Sequence, residues 1–181
     1  MTTVEYIPNT ERFSDGIRRL LITAHDEFVP PLTAREGTTQ REDLDNAALE
    51  TDDVDEAIEP YHSQCIDQHL IACHEGEELQ GFMSFRNNYC TSELEGYQPS
   101  NYISTIIVEP AHRREGLARR MYETILSDLP AEIRSPYVTT RTWSTNVSHL
   151  LLLEDLGFEN VATLPDDRGD GIDTVYYATE R

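Results

Sequence analysis

The chain has 181 residues, long enough for one domain with a sizeable core, and a formal net charge of −20. All 14 basic residues are arginine, against 34 Asp and Glu; so acidic a chain repels phosphate backbones and excludes a nucleic-acid binder as the first reading. A secretory signal is not expected, and no apolar run approaches the roughly 20 residues of a membrane span, so a cytoplasmic protein is expected.

The absence of lysine gives the acidity a second meaning, because acid-rich, lysine-free surfaces look like those of proteins from extreme halophiles. At ~1 M salt the Debye length is about 3 Å and carboxylate repulsion is screened. In dilute buffer the same charge destabilises the compact state. The chain is therefore expected to need molar salt; a thermal melt unchanged between low and multimolar KCl would refute this.

Thr3 to Ile7 reads as a short first strand. Phe13 to Phe28 follows as a helix with Ile17, Leu20, Leu21 and Ala24 on its apolar face, Ser14 or Asp15 available as cap, and Pro30-Pro31 as the stop. Residues 42 to 60 hold nine carboxylates and no basic residue. Within them Leu44, Ala47 and Ala48, then Val54, Ala57 and Ile58, predict short amphipathic helices broken near Pro60. Gln68 to His74 and Leu79 to Arg86, around Glu75-Gly76-Glu77, predict a β-hairpin. Asn87 to Asn101 is a polar loop. Cys65, Cys73 and Cys90 show no C-x-x-C or metal spacing and the histidines no ligand pattern, so no metal is expected.

The informative stretch begins at Tyr102. Tyr102 to Val108 predicts a buried strand, Glu109-Pro110 a turn, and the residues from about Gly116 a helix, with Leu117, Ala118, Met121, Tyr122, Ile125, Leu126 and Leu129 on one face. Between them, His112 to Arg120 carries four arginines and one glutamate, a local reversal of sign. A helix N-terminus offers unpaired N–H groups and partial positive charge, Gly116 lets the backbone approach a ligand, and the arginines add donors. Together they suit a pyrophosphate. Downstream, Tyr137 to Trp143 reads as a strand, Asn146 opens a helix, and Gly157-Phe158 turns into closing strands at Glu159 to Leu164 and Thr174 to Ala178, joined by an Asp/Gly-rich loop at Pro165–Gly171. No internal repeat or linker interrupts the chain, so one domain is expected over residues 1–181.

Val108-x-Pro110-x-x-Arg113-x-x-Gly116-Leu117-Ala118 resembles the acetyl-CoA signature of the GNAT acetyltransferase superfamily, (Q/R)-x-x-G-x-(G/A) after a strand ending in V-x-P. Asn146 through Leu156-Gly157-Phe158 resembles the family's N-x-x-A-x-x-L-Y-x-x-x-G-F stretch. The resemblance is close from about residue 102 to 158, and Leu79 to Phe85 is similar to the family's third strand. It implies a mixed α/β (α+β) fold: a central, mostly antiparallel twisted sheet of six to seven strands, flanked by about four helices. It also implies acetyl-CoA as cosubstrate. Ile106, Ile107 and Val108 would then meet the pantetheine arm and the thioester carbonyl. Arg114, Glu115, Gly116, Leu117, Ala118 and Arg119 would cradle the pyrophosphate, and Arg113 beside them would belong to the cofactor-binding set. Asn146 would contact the cofactor, or simply cap its helix, or both.

Two positions depart from the family. Leu153 stands where a Tyr often protonates the departing thiolate, and Arg141 where the ribosomal-protein N-terminal acetyltransferases carry a Glu base. The candidates for proton transfer are Tyr102 and Ser104, alternating with Ile106 on one face of the central strand, and His149, one turn into its helix. The expected partner is an amine: polyamine-like, an amino-sugar or a protein amine. An acidic rim at residues 42 to 60 would favour a cationic one, though a uniformly acidic surface looks the same. A homodimer is the assembly considered. The reading is an N-acetyltransferase acting by direct attack in a ternary complex; the alternative is a non-catalytic acyl-CoA-binding or sensing module.

Overall fold

The computed structural model describes residues 1–45 and 52–181. Strands β1 (Thr3–Ile7), β2 (His69–Glu75), β3 (Glu78–Tyr89), β4 (Ser100–Val108), β5 (Tyr137–Trp143), β6 (Glu159–Leu164) and β7 (Thr174–Glu180) form one sheet in the order β1-β2-β3-β4-β5-β7-β6. Every neighbouring pair is antiparallel except β4 and β5. Helices α1 (Ser14–Ala24), α2 (Val54–Ile66), α3 (Leu117–Ser127) and α4 (Val147–Asp155) accompany it. This is the mixed α/β fold expected: seven strands and four helices among the described residues.

Alternation along β2 shows why the sheet is covered on both faces. Leu70 and Ala72 pack with Ile17, Leu20 and Leu21 of α1 and Ile58, Tyr61 and Cys65 of α2. Ile71 and Cys73 face the other way, onto Leu117, Met121, Tyr122 and Ile125 of α3 and Leu153 of α4. Each fully buried Leu, Ile or Phe contributes roughly 1.5–3 kcal/mol of transfer free energy. No helix among the described residues is long and apolar enough to cross a membrane.

Three local expectations give way to tertiary structure. The first helix is split into a 3₁₀ turn at Thr10–Phe13, α1, and a second 3₁₀ turn at His25–Glu27. Asn9, not Ser14 or Asp15, supplies the side-chain cap, accepting from the Glu11 amide, and the Ser14 hydroxyl lies 3.3 Å from His62 Nε2 instead. α2 does not break at Pro60. Pro60 cannot donate to the Glu56 carbonyl, but the buried face made by Ile58, Tyr61, His62 and Cys65 outweighs that loss. Asp53 caps α2 through the amides of Asp55 (3.0 Å) and Glu56 (3.3 Å). The helix expected around Ala47 and Ala48 falls outside the described residues, while Leu44 beside it is buried. The polar loop is also shorter than expected, because β3 runs to Tyr89 and pairs it with Ser100.

Candidate active site

The site follows from one topological fact. β4 and β5, the parallel pair, are in register only from Ser100↔Tyr137 to Ile103↔Thr140, yet both strands continue. Beyond Ile103 they splay, and the β5-facing edge of Ser104 to Val108 has no ladder partner among the described residues. On its other edge β4 remains paired to β3, with Ile106, Ile107 and Val108 opposite Met83, Phe82 and Gly81. A β-bulge accompanies the splay: Ser84 pairs with Thr105 and Phe85 with Ile103, leaving Ser104 as the extra residue.

The splay opens a cleft of about 660 Å³ walled by Ile106, Ile107 and Val108 on one side and Trp143, Asn146 and His149 on the other. Its mouth is the start of α3. Gly116 holds φ +79° and Arg114 φ +67°, so the loop makes two left-handed steps before the helix begins. A Cβ on Gly116 would meet nothing within 4 Å; its backbone angle, not crowding, demands glycine there. The first helical bond runs from the Arg120 amide to the Gly116 carbonyl, 3.1 Å. That leaves the amides of Leu117, Ala118 and Arg119 as the orphan donors of the helix end.

The arginines at the mouth are not equivalent. Arg113 donates from Nε to the Val108 carbonyl (3.1 Å) and from Nη2 to both Glu27 oxygens (2.9 and 2.8 Å), bracing the end of β4. Arg119 pairs with Asp155, and Arg120 reaches the Thr2 carbonyl at 3.3 Å. Among the described residues Arg114 alone of the four has no side-chain hydrogen bond or ion pair, and it lines the cleft. Glu115 does not line it: its carboxylate lies 3.5 Å from His112 Nδ1. Asn146 sits at the N-cap position of α4 without making a side-chain cap; its Nδ2 donates to Thr142 Oγ1 (3.1 Å) on the cleft wall.

A smaller cavity of about 70 Å³ continues inward, lined by Ser104, Thr140, Arg141, Trp143 and His149 among others. The three proton-transfer candidates are therefore not brought together. Ser104 and His149 line this cavity, and Ser104 donates to Gln68 Oε1. Tyr102 lies elsewhere, 1% exposed, stacked on Tyr89 with ring centroids 4.4 Å apart and packed with Tyr176. The shared face expected for Tyr102, Ser104 and Ile106 is undone by the bulge. The extra residue shifts the alternation, so Ile103 and Ile106 join the α3/α4 core while Tyr102 faces the other way.

His149 has a partner that the sequence does not reveal, the Tyr122 hydroxyl of α3, 2.7 Å from Nε2. Burial pushes the imidazole down to about 4, so it is neutral at neutral pH, and pushes the Tyr122 phenol up. Leu153, at the family's Tyr position, is wholly buried in the core. Sequence reasoning also misses Arg35 and Arg168, which gather near Arg141 behind the aromatic pair Phe28 and Trp143 (ring centroids 5.7 Å apart). Among the described residues no group of three or more His, Cys, Asp or Glu is placed to hold a metal ion. Cys65, Cys73 and Cys90 are free thiols.

Solved structures of the same fold are numerous. YncA of Salmonella typhimurium, determined with its cofactor acetyl-CoA, superposes with a TM-score of 0.65 at 17% identity, covering 99% of this chain and 94% of that one. An N-acetyltransferase from Staphylococcus aureus gives 0.63 at 14% identity, over 99% and 98% of the two chains. The ribosomal-protein-alanine N-acetyltransferase of Brucella melitensis gives 0.65 at 14%, over 99% of each. No curated protein matches the chain by sequence. The sequence model of the Acetyltransferase (GNAT) family matches residues 34–158, which include both segments that frame the cleft. The chain belongs to the GNAT acetyltransferase family.

Proposed function

We propose that the protein transfers an acetyl group from acetyl-CoA to a primary amine by direct attack in a ternary complex. The observation that carries this reading is the splay of β4 from β5, with the open end of α3 at the mouth of the cleft it creates. The residues present fit the cofactor: an unpaired strand edge for the pantetheine arm, orphan amides with a φ +79° glycine for the pyrophosphate, and a free Arg114.

Acetyl-CoA, when bound, supplies an activated acetyl group and a thiolate that leaves. The chain contributes the rest. Leu117, Ala118 and Arg119 donate backbone N–H groups to phosphate oxygens, helped by Arg114 at contact distance. The edge of β4 offers an N–H to the thioester oxygen, where negative charge develops as the amine attacks. Glu109 and Arg113 keep that edge in place: the Glu109 amide donates to the Gln80 carbonyl (2.8 Å) and Arg113 clamps Val108. His149 is neutral and held 2.7 Å from the Tyr122 hydroxyl; with its proton affinity lowered by burial it positions the amine as a hydrogen-bond partner, and the proton the amine releases passes to solvent. The amine nitrogen forms the new bond to the acetyl carbon, the C–S bond breaks, and its electron pair departs with sulfur.

The test is CoA release from acetyl-CoA with a panel of amines, at low and multimolar KCl, beside calorimetric titration with CoA. Turnover with at least one amine is expected. His149→Gln is expected to lower kcat roughly tenfold while leaving CoA affinity within a factor of about three. CoA binding without turnover on any amine would favour a sensing module, and no CoA binding would overturn both readings.

A further inference from the structure

Six of the arginines form ion pairs with carboxylates: Arg12, Arg18, Arg19, Arg41, Arg113 and Arg119. Of the eight that form none among the described residues, four lie toward the interior. Arg35 is 8% exposed and Arg168 5%. With Arg141 they come from three separate parts of the chain: Arg35 after a 3₁₀ turn, Arg141 on β5, and Arg168 between β6 and β7. The fourth, Arg86, lies on β3. Burial lowers the proton affinity of Arg35 and Arg168, and the nearby charge of Arg141 lowers both further, as that of Arg35 does for Arg168.

Neutral groups hold them in place. Arg35 Nε donates to the Pro30 carbonyl (3.0 Å) and Arg168 to the Val29 carbonyl (2.6 Å) and Thr174 Oγ1 (2.9 Å). Arg141 Nη2 donates to the Gln40 carbonyl and Arg86 to Thr38 Oγ1 at 3.4 Å. Arg35 Nη2 and Arg86 Nε are buried without any partner among the described residues. The phenols around them do not balance the charge. Burial raises Tyr61 to about 12 and pushes Tyr102 and Tyr176 upward too, so all are neutral. Asp167 is within electrostatic reach of Arg168, but its carboxylate accepts from Thr174 Oγ1 at 2.5 Å and forms no ion pair with an arginine among the described residues.

In a chain of net charge −20 with carboxylates to spare, an interior group of guanidinium ions with no carboxylate in ion-pair contact among the described residues is costly unless an anion joins it. The location says where the anion comes from. Arg141 lines the inner cavity beside Ser104 and His149. Arg168 stands over the Trp143 ring (5.8 Å) and Arg35 over Phe28 (5.5 Å), the two aromatics that line both the cleft and its inner extension. A carboxylate-sized group fits the inner cavity, and a guanidinium fork matches a carboxylate in two bonds.

Resting on the acetyltransferase reading above, we propose that the acceptor is an amine carrying its own carboxylate, an α-amino acid or a close analogue, seated on Arg141, with Arg35 and Arg168 behind Phe28 and Trp143 adding positive potential from outside the cavity wall. Its amine then lies toward the splayed edge of β4, where the acetyl carbon is expected. The carboxylate takes no part in bond making; it selects and orients.

The experiment compares kcat/KM for α-amino acids with that for their C-terminal amides, their aminophosphonate analogues and a polyamine. The free acids are expected to exceed amides and polyamine by at least about 100-fold. Arg141→Gln is expected to raise KM for the acid about tenfold or more with kcat changed less than about threefold, to leave the amide unaffected, and to be partly rescued by Arg141→Lys. Equal rates on acid and amide would overturn the inference and leave acetyl transfer standing. Faster turnover of the phosphonate would overturn the carboxylate assignment in favour of a larger oxyanion. Should no amine be acetylated, titration of the CoA-loaded protein with N-acetyl amino acids and their amides decides the matter: tighter binding of the acids supports the pocket, and equal binding overturns it.

Discussion

Two groups of arginines serve the two ends of the cleft, and they contrast in almost every respect. Those at the mouth, Arg113, Arg114, Arg119 and Arg120, are neighbours in sequence and lie toward the surface, and all but Arg114 are already engaged by carboxylates or carbonyls. Those at the inner end, Arg35, Arg141 and Arg168, are far apart in sequence, mostly buried, and, among the described residues, held by neutral acceptors. Of the four charges clustered in the sequence at the mouth, two are thus paired with carboxylates in the fold. The cluster invisible in the sequence has no ion pair with a carboxylate among the described residues. On the proposed reading, affinity for a diphosphate at the mouth would rest on backbone amides, which salt does not screen as it does surface charge, and affinity for a carboxylate at the inner end on a desolvated guanidinium ion.

The largest expected effect lies where the two ends meet, at His149. Its folded form holds no proton until pH falls to about 4, whereas the unfolded chain takes one near 6.5. The unfolded state therefore binds more protons in that window, and stability drops as pH is lowered through it. Between pH 7 and 4.5 the share due to His149 is ~2–3 kcal/mol. Denaturant unfolding at the two pH values should show His149→Gln losing correspondingly less than the parent.

Next comes the backbone of the mouth. Gly116→Val forces a branched side chain into φ +79°, at a cost of roughly 1–2 kcal/mol in stability. CoA affinity should fall about tenfold or more by calorimetry, with the inner arginines untouched. Smaller still is the effect of Arg114→Ala, about 1 kcal/mol in CoA binding at low salt and less in molar KCl. Smallest is Arg113→Ala. Its ion pair with Glu27 is about two-fifths exposed, so its loss should lower stability by under about 1 kcal/mol and CoA affinity by less than about twofold. A loss of affinity as large as that for Arg114→Ala would break the distinction drawn between the two residues.

The same contrast explains what can be read from the residues alone. The mouth is legible because it is built from consecutive residues: strand, turn, Arg113 to Ala118, helix, with Gly116 at the position where a left-handed backbone is required. The strand Tyr137–Trp143 and the closing strands are legible through their own patterns. The inner end is not, because Arg35, Arg141 and Arg168 converge only when β5, the β6–β7 loop and the segment after α1 are assembled. Tyr122 reads as one more apolar-face residue; its hydroxyl finds His149 only once α3 and α4 pack side by side. Tyr102 is misplaced for a related reason, since a single extra residue at Ser104 reverses a strand's facing. Pro60 looks like a stop under a purely local rule, where burial of one helix face decides instead.

The central claim is that the open end of α3 grips a diphosphate beside the unpaired edge of β4. Amide hydrogen exchange with and without CoA, in multimolar KCl, tests it most directly. Slowed exchange at Leu117, Ala118 and Arg119, with β1 on the far edge of the sheet unchanged, is the expected result. Unchanged exchange at those three amides with CoA in saturating excess would contradict it.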